Sequence, residues 1–294
     1  HESKQLLRSL RAPWLVAAWP GMGKVALSAV GYLVEQLEAV LIGPFEASDA
    51  VQSDLERVRI EDGVVQPAHL PENRLYAWRN PGAGRDLLIF VGEAQPKQGS
   101  YRLGHDLLRF AEGLGVERVL TFASMVTPSD PTKDSQVFTV ATETHLLEEV
   151  RQVSGSLTTL KEGELVGLNG ILLGIAATRG LEGIGLLGEV PQLAANLPFL
   201  KAALAVLDLF CPLAGIELDT TELAEKAASV DRGLQELLRQ VRALTDREDG
   251  DQNNLFKLVR DSIGDDSSQA GDEGDEASAP SAGDEPALSP EAIS

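Results

Sequence analysis

The sequence predicts an α/β protein with a layered, mostly parallel sheet, and three observations predict it. Several apolar runs are continuous rather than alternating, as expected for strands covered on both faces. Longer amphipathic stretches separate them, as in strand–helix–strand connections. The first run, Trp14 to Trp19, stops at Pro20-Gly21-Met-Gly23, and a helical pattern starts at Lys24. Pro20 ends a strand ladder, and Gly21 and Gly23 supply a turn that admits positive φ.

Taken in chain order, strands are expected over 14–19, 40–45, 75–79, 87–92, 119–124, 137–141 and 184–190. Helices are expected over 24–38, 102–113, 142–152, 168–178 and 198–213. Val58 to Val65 carries Asp62-Gly63 between β-rich arms, a hairpin signal that makes the sheet mixed. Asp219-Thr-Thr-Glu222 resembles a capping box and opens a long helix. Along it Leu223, Ala227, Val230, Leu234, Leu237, Val241 and Leu244 alternate spacings of four and three, a heptad seam. Such a seam needs a surface: the helix around 198–213 of the same domain, or another subunit. Residues 254–263 suit a short amphipathic helix. Residues 264–294 hold too little apolar surface to offset chain ordering and are expected to be disordered. The expected organisation is an N-terminal extension (1–12), an α/β core (13–217), a C-terminal helical appendage (218–263) and an acidic tail (264–294).

Composition narrows function. The net charge is −20. Residues 246–294 hold 14 acids and 3 bases, net −11; the first 245 residues hold 31 and 22, net −9. Both parts repel phosphate backbones and anionic lipid, so neither nucleic acid nor membrane is expected as a partner. No apolar run is long enough to span a bilayer. The chain opens at His1 without a signal-peptide pattern, and a cytoplasmic setting is the expectation. Cys211 is a lone cysteine between Phe210 and Pro212, expected to be a buried apolar side chain. His1, His69, His105 and His145 have no metal-ligand spacing, so no metal is expected.

The glycine turn invites a comparison with phosphate-binding motifs. A P-loop fails, because Ala18 stands where its first glycine belongs and Val25 follows Lys24. A dinucleotide fingerprint fits better: Gly21-x-Gly23-x-x-Ala26 follows a strand and opens a helix, with Glu46 about twenty residues on. A glycine turn is also the simplest strand-to-helix joint, and no cofactor is expected. Glu46, Asp49 and Glu93 follow strands, and Ser124, Thr127, Ser129, Asp130, Thr132 and Lys133 follow another. Gly21, Gly23, Glu46, Glu93 and Ser124 therefore make a candidate pocket at strand carboxyl ends, with carboxylates for acid–base work. The structural alternative is that Glu46 and Glu93 cap turns or pair with Arg79, Lys97 or Arg102. No histidine stands near enough in the pattern to complete a nucleophilic triad, and no catalytic set is expected.

Segments of the chain, taken in order, are Trp19-Pro-Gly-Met-Gly-Lys-Val25, Gly31-Tyr-Leu33, Leu41-Ile-Gly-Pro-Phe-Glu46, Asp86-Leu-Leu-Ile-Phe-Val-Gly-Glu93 and Leu114-Gly-Val-Glu-Arg-Val119. With the turn at 124–132 and the helices around 167–174 and 202–207, they resemble the proteasome assembly chaperone family, in its second-member (PAC2-like) branch. The resemblance covers residues 12–245. It implies a three-layer α/β/α phosphorylase/hydrolase-like fold, a tendency to form homo-oligomers and a role in protein assembly. Relatives that dock on proteasome rings often end in a hydrophobic–tyrosine–any tripeptide. Here Ile293 occupies the tyrosine position, so docking by that route is not expected. The expected function is a non-enzymatic assembly factor or interaction scaffold. The alternative is a nucleotide or nucleoside binder, or a hydrolase- or ligase-type enzyme, using the pocket.

Overall fold

In the computed structural model, residues 2–46, 60–66 and 71–245 are described. Asp49, the 254–263 helix and the 264–294 tail lie outside the described residues. The chain divides into two compact units, His1–Gln240 and Val241–Ser294. The first unit holds the sheet and the helices that cover it.

Ten strands form: β1 (Trp14–Ala18), β2 (Val40–Pro44), β3 (Ile60–Glu61), β4 (Val64–Val65), β5 (Asn73–Trp78), β6 (Leu87–Gly92), β7 (Arg118–Thr127), β8 (Val137–Ala141), β9 (Thr158–Thr159) and β10 (Glu182–Pro191). Eight of them make one sheet in the order β2-β5-β6-β1-β7-β10-β8-β9. The centre, β6-β1-β7-β10, is parallel. Antiparallel pairs β10/β8, β5/β6 and β2/β5 flank it. The expected hairpin forms from β3 and β4, but as a separate two-stranded sheet. The mixed character therefore comes from β5, β8 and β9, which run against the central strands, and not from the Asp62-Gly63 turn, because a two-residue loop fixes only the pairing of its own arms.

The continuous apolar run of β1 conceals a period of two. Trp14, Val16 and Ala18 face one layer, with α2 (Val25–Gln36), α4 (Thr144–Ser154) and α6 (Leu200–Ala214). Leu15, Ala17 and Trp19 face the other, with α3 (Ser100–Gly113) and α5 (Leu168–Thr178). Each helix buries one stripe, such as Leu103, Leu107, Leu108 and Ala111 on α3. Phe122 and Phe210 meet edge-on at 5.2 Å between β7 and α6. The N-terminal extension includes a helix, α1 (Glu2–Ser9), whose Leu7 packs against the second layer.

The long helix α7 (Thr221–Thr245) starts as expected, with Asp219 Oδ1 accepting from the Thr221 N–H at 2.9 Å. The first half of the seam faces its own domain. Leu223 and Ala227 are buried, and Leu234 packs against the margin of the same core. Val230 is 44% exposed. Leu223 thus lies against its own domain, while Leu234 is only partly covered by it. The side chains of Leu237, Val241 and Leu244 lie outside the described residues.

Candidate functional site at the carboxyl end of the sheet

The Pro20-Gly21 bend leaves β1 at the carboxyl end of the parallel strands. Met22–Lys24 form one 3-10 turn, with Gly23 at φ 64° and Lys24 at φ 49°. Both lie in the left-handed region, and that winding launches α2. Two of the turn's amides are already engaged. The Gly23 N–H donates to Ala195 O (2.7 Å), the Lys24 N–H to Gly21 O (3.1 Å), and Gly23 O accepts from the Phe199 N–H (2.9 Å). The segment after β10 thus already occupies the place an anion would take beside Gly23. A Cβ on Gly23 would stand 2.9 Å from a Val190 methyl. Gly23→Ala is expected to cost about 1–2 kcal/mol through positive φ and crowding, read as a lower urea midpoint at unchanged slope.

A shallow cavity of about 390 Å³ lies over this turn, lined by Pro20, Gly21, Met22, Gly23, Lys24, Ala195 and Asn196. Gly21 and Gly23 line it; Ser124 does not, although its Oγ is 3.8 Å from where a Cβ of Gly21 would stand. Glu93 and Glu46 do not line the cavity. Glu93 pairs with Arg74 at 2.9 Å and accepts the Glu72 N–H at 3.0 Å. This is the structural alternative with a different partner, since Arg102 bonds instead to Asp106 at 3.3 Å. Glu46 is exposed at the end of β2. The dinucleotide arrangement needs that acid on a strand adjacent to β1, but the neighbours of β1 are β6 and β7. β2 is the sheet edge, three strands away, roughly 14 Å at ordinary strand spacing.

Residues that sequence reasoning passed over do more at this rim. Gln95 ties two loops, donating to Pro20 O (2.7 Å) and accepting from the Leu168 N–H (3.0 Å). Glu189 accepts from Thr127 Oγ1 (2.7 Å) and the Gln136 N–H (3.3 Å), closing both feet of the loop between β7 and β8. Within that loop Asp130 Oδ1 accepts from the Thr132 amide (2.9 Å) and hydroxyl (2.8 Å). Neither Gln95 nor Glu189 has a sequence signal, because each is a single polar residue whose role depends on which loops meet. The same end turns apolar side chains outward: Met22, Val166 and Leu193 stand on three of these hydrogen-bonded loops and are 51%, 91% and 64% exposed.

Elsewhere the titratable groups serve the fold. Burial, helped by Asp208, pushes the Cys211 thiol up to about 12, so it stays protonated and unreactive. His145 bonds to Glu182 at 3.0 Å and His105 meets the Tyr101 ring edge-on; neither belongs to the rim. Among the described residues no three His, Cys, Asp or Glu side chains converge to hold a metal ion, and no helix is long and apolar enough to cross a membrane.

Comparison with known proteins agrees with this architecture. The model of the PAC2 family matches residues 15–238. The structure is similar to that of Pyrococcus furiosus PbaB, an archaeal proteasome activator, with 28% identity over 80% of this chain and 95% of that one and a TM-score of 0.66. A Streptomyces avermitilis PAC2 family protein is 26% identical over 76% of this chain and 95% of its own, with a TM-score of 0.64. A Mycobacterium tuberculosis proteasome-assembly chaperone homologue shares the fold at 24% identity, covering 83% and 99%, with a TM-score of 0.65.

Proposed function

Because the chain belongs to the PAC2 family, we propose that it is a non-catalytic assembly factor that acts by holding a protein partner, and that it works as a homo-oligomer in the cytoplasm. One observation carries this reading. At the rim where open α/β sheets keep their chemistry, Glu93 and Glu189 are engaged in bonds that shape loops, while Met22, Val166 and Leu193 face outward. Apolar side chains turned outward at one end of the sheet suit contact with protein. Acid–base turnover asks instead for titratable groups aimed at a shared space. PbaB is an archaeal proteasome activator, so the proposed partner is a proteasome-type ring or its subunits.

The test combines light scattering with binding of the full chain to purified proteasome subunits from the same organism. The expected mass is a multiple of the 31.4-kDa chain, and co-elution with ring subunits is expected to weaken in Met22→Asp and Leu193→Asp variants that keep their melting temperature. A 31.4-kDa monomer that retains no subunit overturns the proposal. A second reading, a small-molecule site, rests on the cavity beside Gly21 and Lys24. A nucleotide present at a hundredfold excess over its Kd would then add about 2.7 kcal/mol to stability by mass action. A scan showing no change in melting temperature with nucleotides, nucleosides or phosphate removes that reading.

A further inference from the structure

The ties of α7 to the body weaken along its length. Just before the helix, Tyr32 OH donates to Asp219 O at 2.8 Å. Leu223 and Ala227 are buried, Val230 is half out in solvent, and Leu234 packs only at the core's margin. Asp231 stands between these last two. One carboxylate oxygen accepts from Lys201 Nζ of α6 at 2.8 Å, with both side chains mostly covered, and the other accepts from Gln235 Nε2 at 2.9 Å.

The same ammonium reaches a third element. Lys201 Nζ also donates to Lys133 O at 3.1 Å and Pro131 O at 3.3 Å. Both carbonyls belong to the loop between β7 and β8, whose feet are closed by Glu189. Lys201 holds its crest. An ammonium has three donors, and here they go to two segments about a hundred residues apart in sequence. The ion pair is the strongest of the three bonds. Without Asp231, a cation facing two carbonyl dipoles is better served by water, and the crest loses its tie to the helical layer.

We propose that Lys201 couples α7 to the rim loop, so that residues 128–136 are held at the carboxyl end while α7 lies against α6 and are released when it lifts. The loop follows β7, whose Ser124 stands beside Gly21. A partner that takes hold of α7 would therefore loosen the rim next to the glycine turn.

Hydrogen exchange on the full chain tests this, using wild type, Asp231→Ala, Lys201→Met, Leu234→Asp and the Lys201→Met/Leu234→Asp double variant. Peptides from β1 and β6 report whether the body stays folded. Asp231→Ala and Lys201→Met are each expected to speed exchange over 128–136 about tenfold, the effect of losing a charge-assisted hydrogen bond. Leu234→Asp, which changes only a residue of α7, should loosen the same loop, and the double variant should exchange no faster there than Lys201→Met. Wild-type exchange over 128–136 in Asp231→Ala overturns the proposal. So does a Leu234→Asp effect on the loop that adds in full to that of Lys201→Met. Should Lys201→Met loosen β1 and β6 as well, Asp231→Ala and Leu234→Asp decide alone, since neither changes a residue of the sheet or of α6.

Discussion

Gly84→Ala is expected to destabilise the protein by about 3 kcal/mol, the upper part of the range for overpacking, or roughly 6–12 °C in melting temperature for a folded body of this size. Gly84 lies in the loop between β5 and β6, back to back with Gly215. A Cβ on Gly84 would fall well inside contact distance of the Gly215 carbonyl, and one on Gly215 would stand 3.1 Å from Gly84 Cα. The obstacle is backbone, so no side-chain rotation relieves it. Gly215 cannot retreat, because at φ 65° it closes α6: its N–H donates to Pro212 O and the Ile216 N–H to Cys211 O. The loop cannot retreat without loss either. The Arg85 N–H donates to Ala214 O at 2.9 Å and Asn80 Nδ2 to Gly215 O at 3.3 Å. Gly82→Ala, in the same loop, meets only the Asn80 side chain at 3.3 Å and serves as the control. Equal melting temperatures for the two variants would refute the close-approach argument.

What the sequence disclosed, and what it hid, divides along the range of the interactions. The β1 run, the glycine turn and the start of α7 were legible because each is written in neighbouring residues: an apolar stretch, a Pro-Gly bend, an Asp219 that bonds its own helix start. The expected strands and helices recur with shifts of a few residues at their ends, since final turns and edge pairings are set by what packs on them. The hairpin was legible but its consequence was not, because nothing local says whether two short strands join the main sheet. Of the candidate pocket residues, Gly21 and Ser124 come near each other because β1 and β7 are neighbours. Glu46 and Glu93 do not, because strand order places β2 at the edge and because Arg74, across the β5/β6 pairing, faces Glu93. Gln95, Glu189 and Lys201 were invisible for the same reason: each bonds a loop far away in sequence, and no spacing announces it.

The opposite end of the sheet gives the second large effect, and it depends on pH. Trp14, Arg118 and Glu182 stand side by side at the starts of β1, β7 and β10. The Arg118 guanidinium lies over the Trp14 ring at 4.5 Å and bonds Glu149 through two nitrogens at 2.8 and 3.0 Å and Glu182 at 2.7–2.8 Å. Burial works against the charge on Arg118, but its two carboxylate partners outweigh it and raise its pKa. For Glu182, too, burial opposes ionisation, and the bonds from Arg118 and His145 prevail and hold its pKa below the ordinary value. Arg118→Leu is expected to cost about 3 kcal/mol at pH 7, the low end for breaking a buried pair because both acids keep some contact with water. A carboxylate whose pKa is depressed in the folded state stabilises above its unfolded pKa, and that contribution fades as pH falls through the folded value. The gap in stability between wild type and Arg118→Leu should therefore stay level at neutral pH and narrow below about pH 4.5, near the unperturbed Glu value. Comparing the two proteins at each pH cancels the relief of the chain's net charge of −20, which both feel nearly alike. Urea unfolding at pH 7, 5 and 3.5 measures the gap, and a gap that widens toward acid would show that Arg118 does not stabilise the ionised form of Glu182.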